Sequence, residues 1–222
     1  MSIKYIDIHT HRRIDANDVV SILSVDVHHA YGTALPEHCS IGVHPWHLEA
    51  IDVEAALDKV QRNAGLKQVV AIGECGIDRM RKLPLSLQKD VFLQHVHIAE
   101  NVGKPVIIHA VRAYSDLLAL RKHSDRSLPW IVHGFNGAYD IAMRLIEKNI
   151  RLSFGPAILD AVTKASRVMH ALPRDFLFIE TDETPELLQD MYTRASVLLD
   201  VEASEFAQLM LRNYQSIMHD HV

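Results

Sequence analysis

Eight short apolar runs, rich in Val and Ile, recur along this chain: Ile3–Ile8, Ser21–Val27, Cys39–Val43, Val69–Gly73, Pro105–Ile108, Pro129–Val132, Ile150–Phe154 and Phe176–Ile179. Several are apolar on both faces, as parallel strands covered on both sides must be. Between the later runs lie stretches of helical period, over Ile51–Asn63, Leu85–Val102, Tyr114–His123, Tyr139–Lys148, Ala161–Ala171, Glu186–Leu199 and Glu202–His219. Pro84 suits a helix start, while Pro105 and Pro129 sit where the chain re-enters a strand after a helix has ended. This alternation predicts an α/β fold, a TIM (β/α)8 barrel rather than a doubly wound open sheet. The chain has 222 residues, short of the ~250 typical of that barrel. The shortage falls between His11 and the third run, so one or two of the early helices must be truncated to a turn or loop. One domain over residues 1–222 is the expected organisation.

Composition narrows the class of function. Apolar residues make up 48% of the chain and charged residues 23%, which excludes a disordered tail, a collagen-like repeat and a disulfide-stapled miniprotein. Cys39 and Cys75 are the only cysteines, too few for a disulfide framework or a four-cysteine zinc site. A net charge of −5 argues against holding long duplex DNA by the protein's own field. A nucleic-acid substrate remains open if metal ions supply the positive charge. Met1 to His11 lacks the apolar core of a signal peptide, and no run approaches the ~18 apolar residues of a membrane span. The expected address is therefore the cytoplasm, with no membrane partner and both thiols reduced. Histidine is the outlier, at 15 residues, and it is the commonest metal ligand and proton shuttle.

In a barrel of this kind the site lies at the C-terminal ends of the strands. The first run ends in Asp7-Ile8-His9-Thr10-His11, where His9 and His11 are two apart and point to one face of a strand. The fourth ends in Gly73-Glu74, the fifth in His109, the sixth in His133-Gly134 and the eighth in Glu180-Thr181-Asp182. Each residue alone has an ordinary explanation, a hydrogen-bonded rim histidine or, for Asp182, a helix N-cap. Together they put metal-ligating side chains at five of eight strand ends. Four further residues are candidate substrate contacts. His44 and Trp46, in Gly42-Val43-His44-Pro45-Trp46, can face the site with the indole stacked on a planar group, or form a rigid turn with a packed indole. Arg112 can pair with phosphate or sit in an exposed salt bridge. Asn136 lies in the turn Gly134-Phe135-Asn136-Gly137. His95 and His97, solvated or packed on a helix, and His219 and His221, in a loose terminus, receive no site role.

These segments, with Gly73-Glu74-Cys75-Gly76-Ile77-Asp78 and Pro105-Val106-Ile107-Ile108-His109, resemble the TatD-type metal-dependent hydrolases of the amidohydrolase superfamily over nearly the whole chain. The resemblance implies a TIM barrel with one or two divalent ions, of Zn, Mn, Mg, Ni or Fe, and hydrolysis of phosphodiesters at DNA ends by a two-metal-activated water. It further implies that His9, His11 and Asp182 bind one ion, that His109 and His133 bind the other, that Glu74 bridges them, and that Asp182 accepts the proton. A carboxylate at the fourth strand favours the TatD branch over binuclear amidases. Departures from the family pattern fall on substrate-contacting positions: Val111 then Arg112 replace the usual Arg-Asp pair, and Arg79 and Met80 replace the tyrosines usual after Asp78. Two other readings compete. One is hydrolysis of a small phosphate ester, lactone or amide at the same centre; the other is a binding protein that keeps the metals without turnover, against which the intact Asp182 argues.

Overall fold

The computed structural model describes residues 4–14, 16–28, 35–184 and 187–218. Its strands are β1 (Tyr5–Thr10), β2 (Val19–Asp26), β3 (Cys39–Gly42), β4 (Val69–Asp78), β5 (Val106–Val111), β6 (Trp130–Val132), β7 (Ile150–Phe154) and β8 (Leu177–Ile179). Its helices are α1 (Val53–Ala64), α2 (Leu85–Val102), α3 (Tyr114–Leu120), α4 (Tyr139–Ile146), α5 (Lys164–Val168), α6 (Leu188–Leu199) and α7 (Ala203–Ile217). The sheet takes its strands in chain order from β1 to β8, the succession expected of a (β/α)8 fold. Among the described residues no helix separates β1 from β2 or β2 from β3, as the shortage of chain there requires. None of the described helices is long and apolar enough to cross a membrane. By contacts the chain forms two compact units, residues 1–22 with 133–222, and residues 23–132.

In the unit of residues 23–132, β2 to β6 pair in parallel, each with the next. All ten residues of β4 are buried. Helix α1 starts at Asp52, whose carboxylate accepts the Ala55 N–H at 3.1 Å, and buries Ala56, Leu57, Val60 and Ala64 at the spacing of one helical face. Helix α2 ends at Gly103 in the left-handed conformation, where its N–H reaches back to Ala99 and Glu100. His95, in mid-α2, is fully buried. Its Nδ1 lies 2.8 Å from the Val91 carbonyl, and its Nε2 accepts the Val43 N–H at 3.0 Å. Burial lowers its pKa to about 4, so it is a neutral tie between α2 and the end of β3. Arg121, also fully buried, lies over the Trp130 ring and donates to the carbonyls of Asp125, Arg126 and Leu128.

In the other unit, β7 and β8 pair in parallel. The Tyr192 hydroxyl on α6 donates to the Ile6 carbonyl and accepts the Ile6 N–H, at 2.9 and 2.8 Å. Asn213 on α7 donates to the carbonyls of Arg174 and Leu177. Ile6, Ile8, Phe154, Phe178, Phe206 and Met210 are fully buried among these elements.

The structure moves several expected boundaries. β4 does not stop at Gly73 but runs on to Asp78, because Cys75 and Ile77 continue the apolar pairing with β5. Glu74 and His109 therefore lie within strands rather than after them. The helix expected over Ala161–Ala171 is the short α5 followed by a 3₁₀ turn, started by the Thr163 cap on Ser166. The starts of two expected elements, Ile3 and Glu186, lie outside the described residues, as do His219 and His221.

Candidate metal centres

In the unit of residues 1–22 and 133–222, β1 presents Asp7 and His9 at alternate positions, and His11 follows just past the end of the strand. His9 is fully buried, and its ring centroid lies 5.0 Å from that of His11. Asp182 follows β8 and is clamped to β1 by two backbone bonds, His11 N–H to the Asp182 carbonyl at 3.0 Å and Asp182 N–H to the His9 carbonyl at 3.1 Å. Its φ of 53° is a left-handed conformation uncommon outside glycine, the kind of backbone found at functional sites. The Asp182 Oδ1 lies 3.8 Å from His9 Nε2 and 3.6 Å from His11 Nε2. The His133 ring stands 4.5 Å from that of His9. Ligand atoms of His9, His133 and Asp182 all lie within 4.8 Å of one another. Two imidazoles and a carboxylate converging so closely are a donor set that suits a divalent transition ion.

Behind this cluster stand two buried carboxylates. Glu180 is fully buried; its Oε1 accepts the Gly134 N–H at 2.6 Å and lies 3.5 Å from His133 Nδ1. Burial pushes its pKa up, but the bond and charge of His133 outweigh this, and the group stays below the usual carboxylate range. Asp7 accepts from the Thr181 N–H at 3.0 Å and its hydroxyl at 2.6 Å. There burial wins and raises the pKa to about 7. Asp182 is raised too, by burial and by the neighbouring Glu180.

In the unit of residues 23–132, Glu74 on β4, His109 on β5 and His44 after β3 form a second cluster. Glu74 Oε1 lies 2.9 Å from His109 Nδ1 and 3.1 Å from His44 Nε2, and the three ligand atoms also fall within 4.8 Å of one another. Gly76 makes the close approach possible: β4 and β5 pair Gly76 with His109, and a Cβ at Gly76 would overlap the His109 carbonyl oxygen. Burial holds the His44 pKa below the ordinary imidazole value despite Glu74 beside it. Asp26 sets the turn, accepting the His44 N–H at 3.0 Å and standing 2.7 Å from His47 Nδ1. Asp78 Oδ2 accepts the Trp46 indole N–H at 2.7 Å and lies 3.5 Å from His109 Nε2, while Oδ1 accepts the Met80 N–H. Burial pushes the Asp78 carboxyl up, but these donors bring it below its ordinary value.

The expected ligands His9, His11, His133 and Asp182 thus come together in one unit, and Glu74 and His109 in the other. His44, expected to contact substrate, stands among the donors. Trp46 is half-exposed rather than packed away, and Arg112 is exposed. The Asn136 side chain accepts the Ala165 N–H at 3.0 Å, so it anchors its turn to α5. His95 has a structural role. Sequence reasoning passed over Asp7 and Glu180 as individual residues, although each stands two residues from an expected ligand.

A family model described as TatD related DNase matches residues 7–219. The chain is 35% identical over 149 residues to the uncharacterized metal-dependent hydrolase YabD of Bacillus subtilis (strain 168), covering 65% of this chain and 58% of that protein. To the 3'-5' ssDNA/RNA exonuclease TatD of Musicola paradisiaca it is 28% identical over 165 residues, 72% of this chain and 62% of that one. It therefore spans less than two thirds of either relative. The crystal structure of YjjV, a TatD homolog from Escherichia coli K12, superposes with a TM-score of 0.82 at 23% identity, covering 99% of each chain. That likeness establishes the (β/α)8 fold.

Proposed function

Because the chain belongs to the TatD related DNase family, we propose that it is a metal-dependent hydrolase that cuts phosphodiester bonds at nucleic-acid ends, acting as one domain over residues 1–222. The observation that supports this most is the pair of imidazole and carboxylate clusters, His9 with His133 and Asp182, and His44 with Glu74 and His109. The phosphodiester substrate is suggested by the relative named as a single-stranded DNA and RNA exonuclease.

His9, His11 and Asp182 would hold one divalent ion; His133, expected on the other ion with His109, would join this one instead because its ring stands beside His9, and Glu74 and His109, with His44 beside them, would hold a second. Such ions supply Lewis acidity, which polarises a phosphoryl oxygen and acidifies a water. The remaining work belongs to the side chains. Asp182 accepts the proton of the attacking water. Glu180 fixes the orientation of His133, as an outer carboxylate does for a ligating histidine. Arg112, exposed, serves as a substrate contact, whereas Asn136, expected to do the same, holds the turn after His133 against α5.

The test is a metal analysis of the purified protein beside a screen with end-labelled single-stranded oligonucleotides, bis-p-nitrophenyl phosphate, p-nitrophenyl phosphate and lactones. Stepwise shortening of the oligonucleotide, abolished by a chelator, is the expected result. Turnover confined to the monoester or a lactone would replace the nucleic-acid reading by a small-molecule one. Full metal content without any turnover would make the chain a binding protein.

A further inference from the structure

We propose that Trp46 selects the substrate, by stacking on the base next to the cleaved phosphate; this rests on the phosphodiesterase reading above. The chain has two tryptophans, and they are treated oppositely. Trp130 is fully buried, whereas Trp46 is 49% exposed, although tryptophan is highly buried on average. The exposed indole is nonetheless fixed. Its N–H is spent on Asp78 at 2.7 Å, and its ring stands edge-on to His44 at 4.9 Å and to His109 at 5.9 Å between centroids. The Arg81 guanidinium lies over one face of the ring, 5.5 Å from its centroid, within cation–π range.

The result is a rigid aromatic surface, half-exposed to solvent, against two imidazoles of the Glu74 cluster and with a cation over one face, so that a planar group stacks on the opposite face or takes the place of the guanidinium. A planar ring carried on a phosphate engages all three features, the indole by stacking, the cluster through the scissile phosphate and Arg81 through a neighbouring one. A lactone or a base-free phosphoester leaves the indole unused. Stacking of this kind needs an unpaired base and is nearly blind to its identity, since every base has a π-face. Asp78 acts as a positioning residue, holding the indole in register with His109.

The experiment uses metal-loaded protein and two uncleavable phosphorothioate tetranucleotides, one of deoxyadenosine and one abasic, with equal charge. Trp46 is the solvent-facing emitter, so binding is read from its fluorescence for the wild type and by calorimetry for all variants. The adenine oligomer should quench the emission and bind about tenfold more tightly than the abasic one. Trp46→Ala should bring that ratio near one, and Trp46→Phe should keep most of it. Asp78→Ala should lower the ratio and the emission anisotropy together, because the indole remains but is loosened. Arg81→Ala should weaken both oligomers alike and flatten the salt dependence. Equal affinities in the wild type, or a ratio that survives Trp46→Ala, would overturn the proposal. Cleavage of the ordinary diesters separates the two claims. A wild type that cuts adenine and abasic oligomers equally well retains the phosphodiesterase and loses the stacking role. One that cuts neither loses the phosphodiesterase, and the binding ratio still judges Trp46.

Discussion

At Asp182 one carboxylate is assigned two tasks, holding an ion and accepting a proton, and asparagine separates them. Asparagine keeps a ligating oxygen and tolerates the left-handed backbone found there, but it cannot accept the proton. Asp182→Asn should therefore fold and retain the ion of the Glu74 cluster, while its kcat falls by roughly 10²–10⁴. Asp78, also beside an imidazole, has its oxygens committed to the Trp46 and Met80 N–H groups. Asp78→Asn should lose much less activity. Steady-state kinetics of both variants at saturating metal decide between them: if Asp78→Asn collapses while Asp182→Asn stays within about threefold of wild type, the base is assigned to the wrong carboxylate.

Among the elements, the contact of β4 with β5 is the most demanding. Gly76 has φ of 150° and no room for a Cβ against the His109 carbonyl, so Gly76→Ala must push β5 away and take His109 with it. Metal analysis after dialysis should show a loss of ion in this variant, with a lowered melting temperature. A second prediction concerns the tie between α2 and β3. The His95 pKa is depressed from 6.5 to about 4 in the folded protein, so between those values the unfolded chain binds the extra proton. The stability due to neutral His95 is complete above pH 6.5 and is lost as pH falls towards 4, by roughly 3 kcal/mol in all. His95→Leu should cost about 1–3 kcal/mol at pH 7.5, by leaving the Val43 N–H without its acceptor, yet lose less on acidification. Urea unfolding at pH 7.5 and 5 measures both. Much of this level was legible in the sequence. The period marked α2 over Leu85–Val102 and the apolar run marked β7 over Ile150–Phe154, each as found. The His-x-His spacing picked out His9 and His11 as candidate ligands, because strand parity is local. The continuation of β4 past Gly73 was hidden because a glycine that permits close approach reads like one that ends a strand. His95 was hidden because its acceptor role depends on a backbone N–H that only tertiary packing brings near. Asp7 and Glu180 each stand two residues from a candidate ligand, but nothing local ranks a supporting carboxylate beside one.

For the molecule as a whole, ions held at the two proposed clusters of imidazole and carboxylate would couple stability to metal. Ions bound to the folded chain at about a hundred times their dissociation constant add roughly 2.7 kcal/mol. For a chain of this length that is about 5–10 °C in melting temperature, and a thermal melt before and after chelation should show the difference. An unchanged melting temperature would argue against tight binding at either cluster.

Cys39 on β3 and Cys75 on β4 are both fully buried free thiols, and burial pushes the first up to about 11 and the second well above its ordinary value. Neither can meet a thiol-specific reagent while the strands stay paired. The protein thus contains its own clock for the opening of its parallel core: the rate at which each sulfur is labelled under native conditions counts how often that strand is laid bare, without any introduced probe.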